Sequence, residues 1–334
     1  MVASKTFCAC LLMCLAVYGC SDLFVSNPEV NQNLDDFAVL TQLVKTRYPF
    51  LQFKHINWDS LVQAYRPVVA ASKGDEIYPV FDRLLAELHD GHVKILTEGG
   101  GSVETYEWPR LVDDKTYNPL VVRKYFGSDL RLAGNNNMEY GILPGNIGYC
   151  YISTFSEGNG TWPNTIDDVL AHLQNTEGLI LDVRNNGGGG NFTWNTIVSR
   201  FATTTITYEF YLPDGSTFFT SRIVPSGAIQ YRRPVVVLMN GASFSAAELF
   251  PELMKQIPAV TTLGDTTGGG GGSNEIFKLP SGKRIQIPTS YFRRFDGTMI
   301  EWNGVPPDIY VAQTIDDVDQ GRDKQLERAI QVLQ

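Results

Sequence analysis

Beyond its first 20 residues the chain carries one cysteine, Cys150. That excludes a disulfide framework, and it excludes a cysteine-built zinc site in the folded body. Cys150 lies in the strand-like run 147–152 and reads as a packed core residue. Histidine is also scarce, with only His55, His89, His92 and His172 present. No further histidine or cysteine cluster completes a metal site around His89 and His92, so no metal is expected. Positive charge is in deficit, with 27 Lys and Arg against 36 Asp and Glu. A net charge of -9 argues against nucleic acid, which rewards basic surfaces. The glycine runs 187–190 and 268–272 lack the lysine and spacing of a phosphate loop, and neither is a dinucleotide fingerprint. No cofactor is expected. Tandem repeats and long low-complexity tracts are absent.

What is present begins with a leader. Lys5 is followed by a mostly apolar run, Cys8 to Tyr18, then Gly19-Cys20. The run is too short to span a bilayer comfortably and has the plan of a secretory signal. Leu15 to Cys20 resembles a bacterial lipoprotein signal, with Cys20 as the lipidated residue. The expectation is a protein exported to the bacterial cell envelope, facing the periplasm or the cell surface. It would touch the membrane through its N-terminal lipid. Residues 1–19 are read as signal peptide and 20–32 as tether.

The 334-residue chain has 43% hydrophobic and 19% charged residues, enough for a full-sized core. Residues 33–92 read as a helical subdomain. Leu34, Phe37, Leu40 and Leu43 recur at helical spacing, a second helix starts near Asp59, and a third spans 75–88. Residues 93–145 read as a small β-rich linking region, with 121–126 as a candidate strand. From 146 to 334 apolar strands near 148–152, 178–184, 234–239 and 259–263 alternate with helices near 162–173, 194–201 and 245–257. Such continuous apolar strands imply a sheet covered on both faces, an α/β core. Hairpins are expected over 276–311 and an amphipathic helix over 317–333.

Candidate chemistry gathers at four places. The turn 184–190 exposes backbone N–H groups that an oxyanion could use. Asn240 to Glu248 joins a strand to a helix, and a serine there meets the positive end of the helix. Ser245 with Glu248 also fits a capping box, and Ser243 is an alternative cap. A nucleophilic serine needs a base, and His92, just past the Asp90-Gly91 turn, is placed to enter a cleft. Asp296, Glu301 and Asp308 are candidate orienters of that base.

Taken in order, Leu88 to His92, Leu181 to Gly189, Ser245 to Glu248, Gly264 to Gly268 and Asp296 to Asp308 resemble the S41 peptidases. These are the C-terminal processing peptidases and their tricorn-like relatives. The resemblance implies a ClpP/crotonase-like spiral core and a peptide or protein substrate. It implies Ser245 as nucleophile, His92 as base and Glu301 behind it. An oxyanion hole from Gly188 and Ala246 completes the expected site. The lysine of the serine–lysine branch would align near Gly269 and is absent. The serine that links histidine to glutamate in the tricorn-like branch would fall at Gly91 and is also absent. The interval from Val93 to Tyr140 is too short for a PDZ domain. The competing expectation is an inactive peptide- or glycan-binding lipoprotein of the same fold.

Overall fold

The structure, a computed structural model, describes residues 28–97, 101–106, 115–156 and 162–334. The expected signal peptide, Cys20 and most of the tether fall outside the described residues. Helix α1 (Pro28–Arg47) begins within the stretch read as tether. It is followed by α2 (Trp58–Ala71) and α3 (Ile77–Ala86), then by the short strands β1 (Lys94–Leu96) and β2 (Ser102–Glu104). Next come α4 (Pro119–Arg123), β3 (Leu130–Ala133), β4 (Met138–Leu143), β5 (Ile147–Ile152), α5 (Ile166–Leu173) and β6 (Gly178–Asp182). Then follow α6 (Asn191–Ser199), β7 (Ile206–Tyr211), β8 (Thr217–Ile223), β9 (Val235–Met239), α7 (Ala246–Met254) and β10 (Val260–Gly264). The chain closes with β11 (Gly272–Lys278), β12 (Arg284–Phe292), β13 (Ile309–Tyr310), α8 (Ile315–Asp319) and α9 (Lys324–Leu333). No described helix is long and apolar enough to cross a membrane.

The fold is α/β with two sheets. One runs in the order β13-β10-β9-β6-β5-β4-β3, parallel from β13 to β5 and antiparallel from β5 to β3. Its central strands β6 and β9 are buried at every position. Side chains alternate across a strand. Leu179, Leu181, Val235 and Val237 therefore enter the core shared with α5, α6 and α7. Ile180, Val236 and Leu238 enter the opposite core, with Leu326 and Ala329 of α9. Each such Leu, Ile or Val contributes roughly 2 kcal/mol by leaving water, which is why both faces must be covered.

The second sheet runs β2-β1-β12-β7-β8, with β11 also on β12. Strand β12 pairs with β1 through 284–286 and with β7 through 291–292. Ile285 and Ile287 also enter the core of the helical subdomain, against Phe37, Leu40, Phe81 and Leu84. That subdomain is thereby fastened onto the α/β part.

Four elements differ from the sequence expectation. Residues 121–126 are not a strand, because Asn118 caps Leu120 N–H and Pro119 starts α4. The linking region makes no sheet of its own, since β1 and β2 join one sheet while β3 and β4 join the other. The expected terminal helix is two helices, with Gly321 at φ 75° in the break. The β7–β8 hairpin stood in a stretch with no assigned element.

Candidate active site

The carboxyl ends of β6, β9 and β10 lie side by side, the usual place for a site in a parallel sheet. Three loops leave there and are tied together. Asn185 N–H donates to Asn240 Oδ1, and Asn240 Nδ2 donates to Asn185 Oδ1. Ser243 Oγ donates to the Val183 carbonyl at 2.8 Å. Phe244 N–H donates to the Asn186 carbonyl and Gly268 N–H to the Ser243 carbonyl. Ser243 is thus a loop fastener and not the cap of α7.

Ser245 has φ 58° and ψ -119°. A helix cap ordinarily has extended dihedrals, and a non-glycine residue in this region carries about 1–3 kcal/mol of strain. Ser245 is the N-cap of α7, and its N–H donates to Glu248 Oε2 as in the expected capping box, while the Glu248 N–H goes to the Ser245 carbonyl at 2.8 Å. The geometry is that of a sharp strand-to-helix elbow that lifts a serine out of its backbone.

Glu248 holds the elbow in place. Its buried carboxylate accepts from Ser245 N–H, Thr267 Oγ1, Gly269 N–H and Gly270 N–H at 2.6–2.9 Å. Burial pushes its pKa up, against the pull of these donors. The five-glycine run is therefore a packed wall and not the wide, permissive loop its composition suggests. A Cβ on Gly270 would stand 2.2 Å from the Phe244 ring, and one on Gly268 would stand 2.8 Å from it. Gly188 approaches from the other side. A Cβ there would meet Ser245 Cβ at 2.8 Å and Ala246 N at 3.0 Å. Gly188 N–H donates to Asn186 Oδ1 at 2.8 Å. Ser245, Ala246 and Gly189 line a cavity of about 240 Å³ with Trp194, Phe210, Leu249 and Phe292. A larger cavity of about 700 Å³ lies between α3 and the β1–β12 edge and touches none of these groups.

His92 comes from the helical front end. His92 is 5% exposed, and its imidazole packs on Phe244 at a 32° tilt with ring centroids 4.5 Å apart. Gln286 Nε2 holds the His92 carbonyl, and the His92 N–H donates to Asp90 Oδ1. Neither ring nitrogen has a hydrogen-bond partner among the described residues, Ser245 included. Nδ1 stands 3.7 Å from Asp90 Oδ1. Asp90, His92 and Glu301 bring one donor atom each to within 4.8 Å of one another. A metal would need that space, but Lys54 Nζ already sits 2.6 Å from Glu301 Oε1 and 3.4 Å from Asp90 Oδ2. Glu301 Oε2 accepts from Gly271 N–H. Burial and the facing Asp90 carboxylate push the Glu301 pKa up to about 8, against Lys54 and Gly271. Asp90 is held well below the usual carboxylate range by Lys54, His92 and Tyr48, which outweigh its burial.

The sequence profile of Peptidase family S41 matches residues 146–311. A Parabacteroides merdae protein of known crystal structure is 31% identical, with TM-score 0.77 over 90% of this chain and 96% of that one. The chain belongs to peptidase family S41. The chloroplastic C-terminal processing peptidase of Tetradesmus obliquus is 26% identical over 72% of this chain and 50% of its own. The carboxy-terminal processing protease CtpB of Bacillus subtilis is 26% identical over 58% of this chain and 38% of its own. This S41 chain thus spans half or less of these curated relatives.

Within this S41 chain, a lysine at Gly269 would be strained. The backbone there has φ 90°, and a Cβ would lie 3.0–3.2 Å from the backbone of Trp302. Of the other histidines, His172 Nε2 pairs with Asp129 Oδ2 at 2.8 Å, and His89 packs on Tyr106. Asp308 binds Thr262 and Lys255, and Asp296 closes a turn onto Thr298 N–H, so neither faces His92. Sequence reasoning missed Lys54, Tyr48 and Asp90 as site residues. Lys54 stood in a loop with no motif around it. The one available signal was a lone lysine among Tyr48, Phe50 and Phe53.

Proposed function

We propose that this S41 member is a serine peptidase acting through an acyl-enzyme. Ser245 is the nucleophile, His92 the general base and Glu301 the carboxylate behind it. The observation that carries the reading is the strained Ser245 backbone, φ 58° and ψ -119°, held by a buried carboxylate. Strain of that kind persists only where surrounding bonds enforce it, and it concentrates at reactive groups.

In this reading, His92 takes the Ser245 proton as Oγ attacks the peptide carbonyl. Ala246 N–H, one of the amides a helix leaves without an internal partner, receives the oxyanion. The Gly188 N–H is the second donor, shared with Asn186 Oδ1. His92 then protonates the leaving amine, and water releases the acyl group. The imidazole tightens onto Ser245 when substrate enters, as catalytic hydrogen bonds are often loose in an empty site. The cavity beside Ser245 receives a side chain of the peptide. Residues 15–20 support a further part of the proposal, export to a bacterial envelope and lipid anchoring at Cys20. Loss of labelled palmitate from Cys20→Ser would test that part.

The test of the chemistry is reaction with a fluorophosphonate probe. The wild type should label, and Ser245→Ala and His92→Ala should not. Equal labelling of all three would defeat the mechanism. The lack of a His92–Ser245 hydrogen bond favours the second reading, a binding protein without turnover. Peptide binding without cleavage, together with no labelling, would establish it.

A further inference from the structure

Lys54 is the least expected member of this site. Its side chain is fully buried, and its Nζ reaches Tyr48 Oη at 2.8 Å, the His89 carbonyl at 3.0 Å and the Leu88 carbonyl at 3.1 Å. Its 2.6 Å contact to Glu301 and 3.4 Å contact to Asp90 come in addition. The rings of Tyr48, Phe50 and Trp302 surround it at 5.3–5.5 Å. An ammonium has three protons, and here more acceptors converge than protons are available. An ammonium offers the most donors to them and faces two carboxylates.

The charge count around His92 gives this lysine a consequence. The groups facing Glu301 are Lys54 and Tyr48 from the α1–α2 side, Asp90 and His92 from the turn after α3, and Gly271 N–H from the glycine wall. With Asp90 ionised and Lys54 charged, the cluster is neutral when Glu301 carries a proton. It is negative by one when Glu301 is ionised. Taking the Ser245 proton puts a positive charge on His92, which the ionised cluster balances and the protonated cluster does not. In this chain Gly91 replaces the serine that links histidine to glutamate in tricorn-like relatives. The charged groups in direct reach of Glu301 are Lys54 and Asp90.

We propose that Lys54 is a positioning residue. It anchors Glu301 and Asp90 around His92, and through their charge it sets the pH at which His92 activates Ser245. This rests on the serine-peptidase reading above. It adds that the helical subdomain supplies part of the catalytic charge balance, so that the subdomain and the α/β core act only together.

The experiment is the fluorophosphonate labelling rate of Ser245 in the full-length chain, measured from about pH 5 to about pH 10. The readout is the midpoint of the rising limb. Lys54→Met removes a positive charge and should move the midpoint up by about one pH unit or more, with labelling recovered at high pH. Lys54→Arg should keep the wild-type midpoint. Glu301→Gln keeps Lys54 in place but fixes the cluster in the neutral state that does not balance a charged His92. It should lower labelling at every pH and remove the rising limb, and the proposal stays testable even if Lys54→Met does not fold. An unchanged midpoint in Lys54→Met, or a wild-type rising limb in Glu301→Gln, would overturn the proposal while leaving Ser245 catalysis intact. A wild type that labels no better than Ser245→Ala would overturn both.

Discussion

The His92 imidazole packs at a tilt on Phe244, 4.5 Å between ring centroids, and Phe244 is the residue before Ser245. A side chain from the helical front end is thereby registered against the elbow of a core helix. The same ring also closes against Gly268 and Gly270. Phe244→Leu keeps most of the volume and loses the aromatic ring against which His92 packs. Its expected cost is under about 1.5 kcal/mol of stability. The probe labelling rate should fall by roughly tenfold or more through loss of His92 alignment. A thermal melt and a labelling time course on one sample would show both.

Glu248 is the second constraint on the nucleophile. Its two oxygens serve four donors, and glutamine offers one acceptor oxygen and an opposing NH2. Glu248→Gln should destabilise by about 2–3 kcal/mol, because buried donors lose their acceptor. Labelling of Ser245 should be lost even at temperatures where the variant stays folded. Circular dichroism beside labelling separates the two effects.

The glycine wall yields a prediction about conversion between branches of the family. Gly269→Lys should not install a serine–lysine pair. Its side chain would have to start from φ 90° and 3.0 Å from the Trp302 backbone. The expected variant is destabilised and unlabelled at every pH. A folded variant whose labelling survives His92→Ala would contradict this.

Glu301 links stability to pH with a definite sign. Its folded pKa, about 8, is above the ordinary 4.5. The folded chain therefore holds this proton more tightly than the unfolded chain between those values. Stability contributed by the site is present below about pH 4.5 and is lost as pH rises through about 8. Asp90, shifted the other way, titrates only in strong acid and does not mask the trend. Relative to Glu301→Gln, the wild type should lose roughly 1 kcal/mol per pH unit across that window. Urea unfolding of both proteins at several pH values measures it. A difference independent of pH would contradict the assignment.

Arg184 belongs to the motif beside the oxyanion turn, yet its work is structural. The buried guanidinium binds Asp182 and Asp323, 2.6 and 2.9 Å away, and joins β6 to the start of α9. Arg184→Met leaves two buried carboxylates without their cation. It should cost about 3–5 kcal/mol. At a temperature where the variant is folded, the pH midpoint of labelling should stay where the wild type has it. Chemical denaturation and the labelling profile check the two halves.

The sequence by itself pointed to the covered parallel sheet, because 179–181 and 235–239 are continuous apolar runs alternating with helices, a pattern that needs cover on both faces. It also determined the three loops that carry chemistry, since glycine turns and a serine at a helix start are local patterns. It offered Ser245, His92 and, among three acids, Glu301 as candidates from local pattern, an ordered family resemblance then implied their roles, and Ser245 stayed open to reading as a cap. Only tertiary structure showed the strained φ and ψ at Ser245, held in place by Glu248 and, some 20 residues further on, by the glycine wall. Local propensity also misread 121–126, where Asn118 and Pro119 override the β-branched pair that follows. Lys54 was invisible for a simpler reason. A lysine's sequence neighbours say nothing about which distant carboxylates will surround it, and here Asp90 and Glu301 reach it from two other parts of the chain.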